Sequence, residues 1–402
     1  MAKRVAFLFL IILILFPLGE VARVQLGNGV AIRANDIGIG IIFLAWLISV
    51  IWTRKFKSIF QKPFAKPIFI FVAVCAISLL LQIQTLKTAE LFISASYLVR
   101  FIVYISLYFV ITDFDLTFKK KVLFILGVSG FLFTALGYIQ YFFYPNLRNL
   151  YYLGWDDHLY RLFSTVLDPN FAGMLLVLYF LFNLNFLIEY IANRKKTILF
   201  GFLSILSLIA VYLTYSRSAL IMLLVSSVTL LVLKGKKKWL LALLGFTLLY
   251  VLVISKNFYI ENINLFRVVS SEARIESSKN ALFIFQKNPI LGVGFNTYRY
   301  AQLRYGFRTE KGSITSHADA GTDNSLLFVL ATTGIIGGIA FVYLWYRVLR
   351  LQFENLYPKN KKDKMFAGLT IASLGGIFVD CLFNNSLFYP FALEWIVILI
   401  SF

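Results

Sequence analysis

Apolar runs of about twenty residues recur along the whole chain, separated by short polar or charged turns. A run of that length, coiled as a helix, crosses a hydrocarbon core of about 30 Å. Twelve helices are predicted, near 5–19, 36–52, 66–84, 91–111, 122–143, 170–191, 197–214, 218–233, 239–255, 324–346, 365–384 and 387–402. The turns between them alternate in charge. With Lys3 and Arg4 inside, the next inside loop holds Arg54, Lys55, Lys57, Lys62 and Lys66. Later inside loops hold Lys119, Lys120 and Lys121; Arg194, Lys195 and Lys196; Lys234, Lys236, Lys237 and Lys238; and Arg347, Arg350, Lys359, Lys361, Lys362 and Lys364. Basic residues mark the cytoplasmic ends of spans, so both termini are expected in the cytoplasm, and one helix more would break the alternation. The first run has the charge and length of a signal peptide, but Pro17-Leu-Gly-Glu20 is a poor cleavage site, and an uncleaved first span is expected.

The outer segments then fall near 20–35, 85–90, 144–169, 215–217, 256–323 and 385–386. The segment 256–323 is the one loop with enough residues to build a site. The expected architecture is an all-α integral membrane protein, a single polytopic domain over 1–402 with about twelve transmembrane helices. A helical extracytoplasmic loop, 256–323, caps it between the ninth and tenth helices.

Composition leaves no room for an ordinary soluble domain. Charged residues make up 14% of the 402, against roughly a quarter in soluble domains, and mean hydropathy is +0.80. The net charge of +20 follows from the cytoplasmic anchors. No soluble basic stretch is interleaved with aromatics, so nucleic-acid binding is not expected. Cys75 and Cys381 lie inside apolar runs and read as buried, inert thiols.

Charges in or near the membrane are the candidate chemistry. Arg100 stands mid-span, where an arginine costs about 2.5–3.5 kcal/mol on insertion scales. It is either an anion contact or half of an internal pair. Arg217 follows Tyr215-Ser216 at the outer tip of a tight helical hairpin, either snorkelling to the interface or aiming its planar fork at phosphate. In 161–173, Asp168-Pro-Asn170 reads as a turn in which Asp168 or Asn170 caps the next helix, and Trp155-Asp-Asp-His158 as a polar rim. An amphipathic helix is predicted over 272–287, ended by Asn288-Pro289. It carries Arg274 in its first turn, where a cation does nothing for helix stability. Gly292-Val-Gly294 and Tyr298-Arg299-Tyr300 follow. The loop closes on His317-Ala-Asp-Ala-Gly-Thr-Asp-Asn324, where Asp323 and Asn324 are either N-caps of the tenth helix or, for Asp323, a general base at the membrane surface. His317, Asp319 and Asp323 match no familiar metal-ligand spacing. Asp113-Phe-Asp115 has DxD spacing but falls in a cytoplasmic turn, and reads as a cap or linker.

These pieces resemble one family. Ser216-Arg217-Ser-Ala219 is similar to an SRGA-type hairpin motif. Arg274 followed by Asn288-Pro-Ile-Leu-Gly-Val-Gly-Phe-Asn-Thr-Tyr298 resembles its R…PxxGxGxxx[FY] segment. Asp323-Asn-Ser-Leu-Leu-Phe-Val-Leu-Ala-Thr-Thr-Gly-Ile-Ile-Gly337 resembles its HNxxL…GxxG segment, and 161–172 the loop before that core. The chain is thus identified as resembling the O-antigen ligase and polymerase family of bacterial membrane glycan transferases. The resemblance implies transfer of a glycan from an undecaprenyl-diphosphate carrier to an acceptor hydroxyl, free or lipid-linked, on the outer face of the cytoplasmic membrane. It implies no cofactor, no nucleotide sugar and no metal. Arg217 and Arg274 would stabilise the departing diphosphate and Asp323 would serve as base. Arg161, Asn170, Arg299, Asn324, His317 and Arg100 are further candidates for substrate contact. Where ligases carry histidine before Asn-x-x-Leu, this chain has Asp323, which tilts the expectation toward a polysaccharide polymerase; His317 is the alternative base. The competing readings are a lipid-linked oligosaccharide flippase or polysaccharide transporter, which should carry charges along several helix midplanes, and a non-catalytic scaffold in polysaccharide export.

Overall fold

In lipid every backbone polar group must find an internal partner, so apolar spans become helices. The computed structural model of the chain describes residues 2–27, 30–254, 269–309, 321–357 and 361–402. Each of the twelve predicted segments is helical. They are α1 (Ala2–Ile12), continued by a 3-10 turn (Leu13–Leu18); α2 (Ala34–Thr53), followed by the short α3 (Phe56–Phe60); α4 (Ala65–Leu80); α5 (Thr88–Thr112); α6 (Leu116–Phe143); α7 (Pro169–Glu189); α8 (Arg194–Leu213); α9 (Arg217–Leu233); and α10 (Lys237–Ile254). Two helices of the segment 256–323 follow, α11 (Val269–Lys287) and α12 (Tyr298–Arg304), and then α13 (Ser325–Glu354), α14 (Lys361–Asp380) and α15 (Pro390–Ile400). Six of them, α2, α5, α6, α7, α8 and α13, are long and apolar enough to cross a membrane, and four shorter apolar helices join them. The chain is a helical, multi-pass membrane protein.

Helix α7 is the axis of the bundle. Its apolar window is 94% buried, against 28% in α2 and α8, whose outer faces are left for lipid. It packs on α8, α9 and α14, and α9 in turn lies along α14. That contact sets the hairpin tip at Arg217 beside the end of α14. Both cysteines are buried free thiols. Asp113 pairs with Lys62 and Asp115 caps α6 by accepting from the Phe118 amide at 2.9 Å, so the DxD pair is a cap and an anchor.

Two features differ from the sequence expectation. The all-α description needs one amendment: Arg23–Gly27 and Val30–Arg33 form an antiparallel hairpin, β1 and β2, with Arg23 opposite Arg33. Those like charges share Glu20, 3.4 Å from Arg23 and 2.6 Å from Arg33. The second difference is a break in α13 at Gly334, with φ 65° and ψ −165°, a conformation open in practice to glycine alone.

Candidate functional site

The stretch between α11 and α12 interlocks with α13, and that joint positions the site. After α11 ends at Lys287, residues 289–294 lie against the broken turn of α13. The Val293 and Gly294 amides donate to the Ala331 and Thr332 carbonyls, at 3.1 and 2.9 Å, and the Ile335 amide donates to the Pro289 carbonyl at 2.8 Å. Ser78 of α4 donates to the carbonyls of Leu291 and Thr332, at 2.6 and 2.8 Å. A Cβ on Gly292 would lie 2.4 Å from the Thr332 backbone, and one on Gly334 2.2 Å from the Ile290 oxygen. Gly292 and Gly334, the first glycines of the GxG and GxxG spacings, therefore mark backbone meeting backbone, and the joint fixes α11 against the start of α13.

Arg274 stands on α11, in its second turn rather than its first, because the described helix begins at Val269. Its Nη2 donates to Asn384 Oδ1 at 3.2 Å. The Asn384 amide donates to Asp380 Oδ1 at 3.0 Å and to Ser218 Oγ at 2.9 Å. Ser386 donates to the other oxygen of Asp380, a residue with no exposed surface. Ser218 directly follows Arg217, so one chain of bonds ties Arg274 to the hairpin that carries the second arginine. Arg217 and Arg274 are close enough to repel each other.

The hairpin tip is itself clamped. Tyr215 holds a left-handed φ of 48°. Ser216 donates to Asn170 Oδ1 at 2.9 Å and caps α9 by accepting from the Ala219 amide. Arg161, 5% exposed, donates Nε to the Thr214 carbonyl at 2.8 Å. Asp168 caps α7, accepting from the Asn170 and Phe171 amides at 2.6 and 3.2 Å. Both its cap role and Asn170's side-chain contact thus serve the tip.

Asn324 and Asp323 divide their work. Asn324 Oδ1 accepts from the Leu326 and Leu327 amides, at 2.9 and 3.0 Å, and caps α13. Asp323 is not needed for capping; its amide reaches Ser277 Oγ at 3.4 Å. Burial pushes the Asp323 carboxyl above its ordinary range. Arg274 and Arg308 pull it back and Asp168 adds to the rise. His158 is held below its usual value by burial, with Asp168 acting the other way.

Arg217, Arg274 and Asp323 therefore share one site. Arg299, half-buried on α12, borders it through Arg308. Arg100 belongs to another cluster: it pairs with Asp36 at 3.1 Å, donates to the Ala31 carbonyl and lies over the Tyr97 ring, as an internal pair would. His317 and Asp319 lie outside the described residues. Among the described residues no group of three or more His, Cys, Asp or Glu comes together to hold a metal. The sequence reading missed Asp380, Asn384 and Arg308. A carboxylate at the end of an apolar run, followed by Asn384-Asn-Ser386, is the signal that could have found the first two.

Residues 202–342 match the family model described as O-antigen ligase. The match covers about a third of the chain and makes that stretch similar to O-antigen ligases. The matched stretch holds Arg217, Arg274 and Asp323 together with the interlocked glycine segments. Arg161, Asn170, Asp380 and Asn384, which clamp the hairpin tip and Arg274, lie outside it. No curated protein matches the chain.

Proposed function

We propose that this protein transfers a saccharide from an undecaprenyl-diphosphate carrier to an acceptor hydroxyl at the outer face of the bacterial cytoplasmic membrane, as a surface-polysaccharide polymerase or ligase. The chain forms a single domain, crosses the membrane twelve times with both termini in the cytoplasm, and presents 256–323 outside. The acceptor oxygen attacks the anomeric carbon and the bond from that carbon to the phosphate oxygen breaks. The carrier diphosphate leaves with the bonding electrons, and the acceptor proton passes to Asp323. Arg217 and Arg274 meet the charge that grows on the leaving group. No nucleotide sugar or metal enters the step.

The observation that carries this reading is the meeting of two guanidinium groups with a carboxylate whose ionised form is disfavoured by burial and favoured by Arg274. Such a carboxyl is a better base than an exposed aspartate, whose pKa is about 3.9. The test uses the full chain in liposomes with an undecaprenyl-diphosphate-linked glycan. Release of carrier diphosphate should require an acceptor and should vanish in Arg217→Gln and Arg274→Gln. Acceptor-independent movement of intact donor across the bilayer, with no release, would instead make the protein a flippase.

A further inference from the structure

Glu394 is a buried acid for which the transfer step has no use. It has no exposed surface and stands in α15 on an otherwise apolar stretch, Pro390-Phe-Ala-Leu-Glu-Trp-Ile-Val-Ile398. An ionisable residue inside a span calls for a partner or a task. The arginines nearby are engaged elsewhere, Arg33 with Glu20 and Asp36, and Arg100 with Asp36. What meets Glu394 is an amide. Asn35, 2% exposed in the first turn of α2, donates Nδ2 to Glu394 Oε2 at 2.7 Å and to the Tyr104 hydroxyl oxygen at 3.2 Å. Tyr104 directs its own proton to Asp36 at 2.8 Å. Asn35 Nδ2 thus faces two acceptors, which fixes the way round of the amide.

Two oxygens remain. Among the described residues, Asn35 Oδ1 and Glu394 Oε1 are buried without a hydrogen-bond partner. With the carboxyl ionised both are acceptors and do nothing for each other, a state in which buried polar atoms are rarely left. A single proton on Oε1 turns it into a donor, and the amide's own oxygen is the acceptor it lacks.

We propose that Glu394 is held as the neutral carboxylic acid, paired with Asn35 through both of its oxygens, and that this acid–amide clasp is a positioning device that seats α15 on α2 and so supports Arg274. The route is short. Before α15 come Asn384, which bonds Arg274, Ser386, which bonds Asp380, and Tyr389, whose ring stacks on Phe171 at 4.2 Å. Phe171 follows Asn170, the partner of Ser216 at the hairpin tip. The positioning role rests on the transferase reading above; the proton does not.

Infrared difference spectra of the full chain in detergent and D2O, wild type minus Glu394→Gln at neutral pH, read the proton directly. A protonated-carboxyl band should be present in wild type and missing from the variant. A carboxylate band lost in its place would overturn the proposal. Glutamine has the shape of the neutral acid and can make the same two bonds to Asn35, so Glu394→Gln should melt close to wild type and Glu394→Leu well below it. Glu394→Gln melting as low as Glu394→Leu would mean that the charge is what matters, and would overturn the proton. So would a wild-type melting temperature that climbs with sodium and loses that dependence in Glu394→Gln, the mark of a bound cation. Carrier-diphosphate release then tests the position. Glu394→Leu should lose roughly tenfold, and Glu394→Gln should restore the rate. A Glu394→Leu protein that releases as fast as wild type would overturn the positioning role. Wild type that releases no carrier diphosphate would sink the transferase reading and leave the infrared result standing.

Discussion

Two regions at helix ends gather arginines and carboxylates, and they close their charges differently. In the cluster under the β1–β2 hairpin, Arg33 lies 2.6 Å from Glu20 and 3.6 Å from Asp36, and Arg100 lies 3.1 Å from Asp36. Tyr104 donates to Asp36 at 2.8 Å, and Asn35 donates to Glu394 at 2.7 Å. Each cation has an anion, and hydroxyl and amide groups satisfy further oxygens. In the site of Arg274 that residue hydrogen-bonds a neutral amide, its neighbour Arg217 is a like charge, and Asp323 also serves Arg308. An arginine in direct contact with a carboxylate ties helices together. An arginine held in place by neutral groups beside another cation is set to receive an anion from outside.

The largest contrast should appear in stability. Glu20→Gln takes from Arg33 and Arg23 the carboxylate they share and leaves Arg33 with Asp36 at 3.6 Å, and removing one partner of a buried pair costs about 3–5 kcal/mol. Thermal unfolding of the purified protein in detergent should show a large drop, while Arg274→Gln unfolds close to wild type. Equal losses in the two variants would erase the distinction between the regions. Activity should sort the other way. Removing one group that stabilises transition-state charge costs on the order of 10²–10³ in rate, or about 3–4 kcal/mol. Arg274→Gln and Arg217→Gln should each lose that much carrier-diphosphate release, whereas any Glu20→Gln protein that folds keeps its turnover.

The same contrast explains what the sequence disclosed. The helices were legible because hydrophobic length and basic alternation are local properties, and all twelve predicted segments are helical. Arg217, Arg274 and Asp323 were legible because each sits next to a motif or a helix boundary. The support behind Arg274 was not, since Asn384 lies 110 residues away and Asp380 reads as the tail of an apolar run. The same holds for the pairing of Arg100, which needs Asp36 from a different helix. The break at Gly334 looks like one more helical glycine until the 289–294 segment is laid against it. The choice between Asp323 and Asn324 as cap was open in the sequence; the two hydrogen bonds from the Leu326 and Leu327 amides decide it.

A smaller effect probes the scaffold itself. Asp380 hydrogen-bonds Asn384 and Ser386 and is joined to Arg274 through Asn384, so it acts as a positioning residue. Asp380→Asn keeps the shape but replaces a charged acceptor with an amide. Hydrogen bonds to charged groups contribute about 1.5–3 kcal/mol, of which only the part that orients Arg274 reaches the rate. The expected outcome is a fall in turnover of roughly tenfold, about 1.4 kcal/mol, well short of Arg274→Gln. A loss as large as that of Arg274→Gln would mean that Asp380 does more than orient.

The finest test is the pH dependence, and its sign is fixed by the neighbours of Asp323. A base works when ionised, and burial raises this carboxyl, so turnover should fall with falling pH through a value above that of an ordinary aspartate. Asp168 contributes to the rise while its other duty is the cap of α7. Asparagine caps as well as aspartate does, so Asp168→Asn removes the charge and keeps the helix start. With that carboxylate gone, Asp323 ionises more readily, and the acidic limb of the rate profile should move to lower pH. Arg308→Gln takes away a cation that favours the ionised form and should move the limb to higher pH. Opposite displacements in the two variants identify Asp323 as the titrating base. Two profiles that coincide with wild type would assign the limb to another group, with His317 the first to be replaced.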